Sequence, residues 1–208
     1  MKFNDIRRKL YVTYYRHLEK FLEPLAQKGV TPNTVTIISL CISLFSAICY
    51  AFGYIFMGGL LLLLSGFTDT MDGTIARLTG QTTKFGALLD SSLDRFAEFF
   101  VFFGLIVYFH TIWMLFVVMG ALMGSIMVSY VKARAESLGA VKVVGLMQRP
   151  ERIVLLSAGS FLNAPIGQHL PECRDCTLII TLLLLALLTH VTVLHRLMVG
   201  KKDLTQPE

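Results

Sequence analysis

Six apolar stretches dominate this chain: Val35 to Tyr54, Met57 to Leu78, Ala87 to Phe109, Thr111 to Val131, Glu151 to Ile166 and Leu178 to Val199. A helix needs about 20 residues to cross the hydrocarbon core of a bilayer, and most of these stretches approach that length. Composition agrees. The 208 residues are 54% hydrophobic and 16% charged, with a mean hydropathy of +0.64, far from a soluble domain. The pattern predicts one all-α integral membrane domain over 1–208. Its parts are an amphipathic juxtamembrane helix within 1–30, a six-helix transmembrane bundle over 31–199 and a cytoplasmic tail over 200–208. No signal peptide is expected, because the first 30 residues alternate charged with apolar side chains.

The purely apolar runs Met57–Thr68 and Phe99–Tyr108 are too short to span alone. Both helices must therefore continue through their neighbouring aspartates, which places those carboxylates inside helices near the headgroup level. Of 19 Lys and Arg residues, all but Arg174 fall in the N-terminal segment, in 77–95, in 132–152 or from Arg196 onward. With six spans these regions share one face. The positive-inside rule makes it the cytoplasm, with both termini there.

Residues Ile6–Gln27 carry Arg7, Arg8, Lys9, Arg16 and Lys20 among Ile6, Leu10, Tyr14, Leu18, Phe21 and Leu22. Apolar residues at helical spacing predict an amphipathic helix, either on the anionic inner leaflet or packed on the bundle. Thr31-Pro32-Asn33 then reads as a helix start, with Thr31 as N-cap and Pro32 at the first helical position. Cys41 and Cys49 read as packing residues within the first span. Cys173 and Cys176 form C-R-D-C in an external loop, where a disulfide or half of a metal site is open.

Four carboxylates lie beside this apolar sequence. Asp69 and Asp72 are three residues apart and Asp90 and Asp94 four, so on helices each pair falls on one face. Four such charges near lipid call for cations, and oxygen-only clusters suit Mg²⁺, Mn²⁺ or Ca²⁺. Structural salt bridges to Arg77, Lys84 or Arg95 would leave the fixed spacing of Gly73 and Gly86 unexplained. A cation transporter is a second reading, although transporters place such groups nearer the midplane.

The pattern D-x-x-D-G-x-x-A-R, eight residues, G-x-x-x-D-x-x-x-D is met at Asp69, Asp72, Gly73, Ala76, Arg77, Gly86, Asp90 and Asp94. It resembles the signature of the CDP-alcohol phosphotransferases. The resemblance implies six transmembrane helices behind a cytoplasmic amphipathic helix, commonly a homodimer, and two divalent metal ions, Mg²⁺ or Mn²⁺. It also implies that Asp69, Asp72 and Asp90 are metal ligands, and that Asp94 is the general base and touches the second metal. A CDP-linked lipid would contact Asp69, Gly73, Ala76, Arg77 and Gly86. For the glycines and Ala76 close helix packing is the alternative. Arg77 can pair with phosphate or steady Asp69 or Asp72, and Asn33 can contact nucleotide or simply cap its helix.

A second block, Ser129-Tyr130-Val131-Lys132-Ala133-Arg134-Ala135-Glu136 with Gln148-Arg149-Pro150-Glu151-Arg152, adds cations, as does Arg196. An acceptor bearing its own phosphate would use them, since Arg and Lys hold phosphate oxygens by charge-assisted bonds. The alternative is that they obey the positive-inside rule and meet lipid phosphates. The block resembles prokaryotic phosphatidylinositol-phosphate and archaetidylinositol-phosphate synthases, whose acceptor is inositol 1-phosphate. By that resemblance Lys132, Arg134, Arg149, Arg152 and Arg196 bind acceptor phosphate, and Glu136 and Glu151 orient them or hold inositol hydroxyls. The expected reaction moves a phosphatidyl-type group from CDP-diacylglycerol or CDP-archaeol to inositol 1-phosphate, with release of CMP. Glycerol 3-phosphate is the alternative acceptor. The implied setting is the cytoplasmic membrane of a prokaryote, with the active site facing the cytoplasm and membrane lipids, but no nucleic acid, as partners.

Overall fold

The computed structural model describes residues 18–141, 145–169 and 173–205. Among them are seven helices and no strand: α1 (18–27), α2 (Pro32–Ala51), α3 (Ile55–Leu78), α4 (Lys84–Phe109), α5 (Ile112–Ser137), α6 (Arg149–His169) and α7 (Cys176–Leu204). Residues 6–17 of the expected amphipathic helix lie outside the described residues. Its continuation, 18–27, is helical.

Helices α2, α3, α5 and α7 are each long and apolar enough to cross a membrane, and the protein is an integral membrane protein. Helices α4 and α6 have 26 and 21 residues, ample length, but Lys84, Asp90, Asp94, Arg95 and Glu98 in the one and Arg149, Glu151 and Arg152 in the other dilute their apolar character. The last helix runs through Gly200 to Leu204, beyond the 199 boundary expected for the bundle.

The chain forms two compact units. The first comprises the segments up to Ile42 and Leu64–Phe96. Here Leu18 and Leu22 of α1 bury with Val35 of α2 and Ile75 of α3, flanked by Leu25, Val30 and Met71. Thus α1 contributes its apolar face to a core. The backbone N–H of Thr34 donates to Thr31 Oγ1 at 3.3 Å, so Thr31 caps α2 as expected. Ser39 Oγ donates to the Ser65 carbonyl at 3.0 Å, which ties α2 to α3 where apolar side chains alone would leave the contact unspecific.

The second unit comprises Ser43–Leu63 and Ala97–Glu208. Its core joins Tyr50, Ile55, Leu62, Val101, Phe102 and Leu105 to Met114, Val118, Leu122, Leu156, Leu178, Leu182 and Leu185. Small residues set the close approaches. A Cβ on Gly104 would strike the Ala47 carbonyl, and one on Gly124 would strike Thr189, the close packing that small residues permit between membrane helices. Helix α2 ends at Ala51, and Gly53 in the turn beyond it has a φ of +79°, which suits glycine. Cys173 and Cys176 are joined by a disulfide. Beside it Asp175 accepts from Tyr108 OH at 2.8 Å and from Asn163 Nδ2 at 3.1 Å.

Candidate active site

Helix periodicity builds the acidic site. Asp69, Asp72, Gly73 and Ala76 recur at three and four along α3, on one face. Asp90 and Asp94 do the same along α4. The fold brings Asp69, Asp72 and Asp90 together: one carboxylate oxygen from each lies within 4.8 Å of the others. Oxygens bound to a common divalent ion at about 2.0–2.6 Å cannot lie more than about 5 Å apart, so this trio fits one. The electrostatics favour it too. Two unit charges 4 Å apart repel by about 4 kcal/mol near a protein surface, a cost that a cation removes.

Asp72 is the most deeply placed of the three, at 7% exposure. Thr36 Oγ1 lies 2.7 Å from Asp72 Oδ2 and 3.1 Å from the Pro32 carbonyl. Its single proton belongs with the nearer, charged acceptor. Thr36 thus orients one carboxylate of the trio, a role invisible in a threonine within an apolar run. Asp94 falls outside the trio. Its carboxylate lies 3.6 Å from Arg95 Nη1.

The residues expected to meet a nucleotide lie in the same unit. Gly73 has open space beside it: a Cβ there would meet only the tip of Arg77, at 3.7 Å. Close packing therefore does not account for this glycine. Ala76 is half-buried on the same face. Arg77 is exposed and its Nη2 donates to Thr74 Oγ1 at 3.0 Å. At Gly86 a Cβ would come within 3.0 Å of Thr83 Oγ1 and 3.8 Å of Asn33 Oδ1, which sets the exposed Asn33 beside the start of α4. Thr83 caps that helix by accepting from the Gly86 N–H at 2.9 Å.

The basic residues lie in the second unit. On α5, Lys132 is partly exposed and lies 3.8 Å from Glu136, and Arg134 is exposed. On α6, Arg149 is half-buried and Arg152 is 4% exposed. Arg152 Nη2 donates to Glu98 Oε1 and Nη1 to the Met147 carbonyl at 3.3 Å. On α7, Arg196 is 2% exposed, donates through Nη1 to the Val128 carbonyl and interacts electrostatically with Arg152, Glu136 and Glu151. Gly145 makes room for it, since a Cβ there would fall 2.6 Å from Arg196 Nε. Glu98 was not foreseen from the sequence. The available signal was its spacing, four residues after Asp94.

A carboxylate trio with open space at the neighbouring Gly73 defines a candidate metal-dependent phosphoryl-group transferase. The CDP-alcohol phosphatidyltransferase family profile matches residues 29–200. The archaetidylinositol phosphate synthase of Pyrococcus horikoshii is 34% identical over 189 residues, which cover 90% of this chain and 92% of that protein. The crystal structure of Mycobacterium tuberculosis phosphatidylinositol phosphate synthase with CDP-DAG bound matches with a TM-score of 0.78 at 27% identity, over 93% of this chain and 98% of that one. The same enzyme in complex with manganese and citrate matches with a TM-score of 0.78 at 28% identity, over 92% and 93%. This chain belongs to the CDP-alcohol phosphatidyltransferase family. It is a membrane transferase of phospholipid biosynthesis.

Proposed function

We propose that this protein transfers a phosphatidyl-type group from a CDP-lipid to inositol 1-phosphate, releasing CMP. The observation that carries the reading is the convergence of Asp69, Asp72 and Asp90 within 4.8 Å. Two divalent ions, Mg²⁺ or Mn²⁺, held by these residues with Asp94 at the second, would offset the charge of the diphosphate and of departing CMP. The nucleotide lies along the strip that Gly73 and Ala76 leave open, between Arg77 and the Asn33–Gly86 pair. Asp94 takes the proton of the acceptor hydroxyl as its oxygen bonds to the lipid-side phosphorus and the bond to CMP breaks.

The acceptor's phosphate is held by Lys132, Arg134 and Arg149 together with the buried guanidinium groups of Arg152 and Arg196. Among the described residues, Nε of both Arg152 and Arg196 is buried with no hydrogen-bond partner. Donors left in that state favour an anion that completes them. Helices α4 and α6 cross the membrane with the four apolar helices, giving six spans. The site and both termini face the cytoplasm of a prokaryotic cell, and the working unit is a homodimer.

CMP release from CDP-diacylglycerol and from CDP-archaeol, each with inositol 1-phosphate or glycerol 3-phosphate and with or without Mg²⁺ or Mn²⁺, tests the reading. Turnover with inositol 1-phosphate that stops on metal chelation is the expected result. Turnover with glycerol 3-phosphate alone would overturn the acceptor assignment.

A further inference from the structure

We infer that Glu98 is a positioning residue for the acceptor, acting through Arg152; the inference rests on the proposed role of Arg152 in holding acceptor phosphate. The Arg152 and Glu98 side chains are 5% and 11% exposed, and Arg152 Nη2 donates to Glu98 Oε1. A carboxylate so buried is costly unless paired, and among the described residues Arg152 is its hydrogen-bond partner. A second hold comes from the Met147 carbonyl on Nη1. A planar guanidinium fixed through both terminal nitrogens has lost its rotational freedom, and its free Nε–H then points in one set direction.

Charge gives the second strand of the argument. Arg152 and Arg196 are both buried and repel one another electrostatically. The Arg196 guanidinium is held by a neutral carbonyl, that of Val128, with the charges of Glu136 and Glu151 acting on it, whereas Arg152 is bonded directly to the Glu98 carboxylate. Its charge holds the Arg152 guanidinium in place against the repulsion of Arg196 before any phosphate arrives. Glu98 thereby pre-forms the pocket, so that binding energy is not spent on assembling it.

Steady-state kinetics on the full-length protein in detergent with CDP-lipid, inositol 1-phosphate and metal provide the test. Glu98→Gln should raise the KM for inositol 1-phosphate by about tenfold, as loss of a residue that orients a binding group typically does. The KM for CDP-lipid should stay within about twofold, and Glu98→Asp should recover part of the loss. The paired variant Glu98→Gln/Arg152→Gln guards against a single variant that fails to fold. Its acceptor KM should match that of Arg152→Gln alone, because Glu98 has nothing left to orient. An unchanged or lowered acceptor KM in Glu98→Gln, or effects that simply add in the paired variant, would overturn the inference. If Arg152→Gln itself leaves the acceptor KM unmoved, the failure lies with the proposed role of Arg152.

Discussion

The acidic trio on α3 and α4 and the Arg152–Glu98 pair both bury charge, yet they settle it in opposite ways. In the trio, three carboxylates of like sign approach within 4.8 Å, and the Thr36 hydroxyl donates to Asp72. Around Arg152 the protein supplies a carboxylate and a carbonyl itself. Like charges drawn this close mark where a cation fits. Charge neutralised internally marks what must hold still while the ligand comes and goes. Removing one member should therefore cost activity in the first case and stability in the second.

The largest effect is expected at the trio. Asp69→Asn or Asp90→Asn should lower kcat by on the order of a thousandfold, the worth of several kcal/mol of lost charge stabilisation. The thermal midpoint without metal should hold or rise, because a repulsion has been relieved. A fall in that midpoint would mean that the trio is settled internally after all, and the contrast would collapse. Next in size, Arg152→Ala should destabilise the protein by about 3–5 kcal/mol, since Glu98 is left buried and unpaired. Replacing both, as Arg152→Met with Glu98→Leu, should recover most of that in thermal unfolding while acceptor binding stays impaired. The smallest effect belongs to Thr36→Val. Loss of one hydrogen bond to a buried carboxylate should cost about 1–3 kcal/mol, seen as weaker metal affinity by calorimetry and only a modest change in acceptor KM.

How much of this could be read from the sequence differs between the two regions for a physical reason. The aspartates were legible because two fixed helical spacings put each pair on one face, and residues three or four apart meet in any helix. That their carboxylates belong inside helices followed from the shortness of Met57–Thr68 and Phe99–Tyr108, and α3 and α4 do run through them. Thr31 as a cap was legible because capping is local. Thr36 and Glu98 were not, since their partners stand 36 and 54 positions away and pairing at such range has no periodic signature. Gly73 reversed an ordinary expectation. Small residues in membrane helices usually mark tight packing, as Gly104 and Gly124 do, but the space beside Gly73 is open. No spacing rule separates these glycines.

The sulfur bridge between Cys173 and Cys176, next to the Asp175 hub that gathers Tyr108 and Asn163, carries information about sidedness. Such a bond endures only in compartments where thiols are not continually returned to the reduced form. The pair is thus a built-in reporter. After gentle reduction of intact cells, an alkylating reagent unable to pass through lipid would tag these two positions from one side only, and so orient the molecule without any added label.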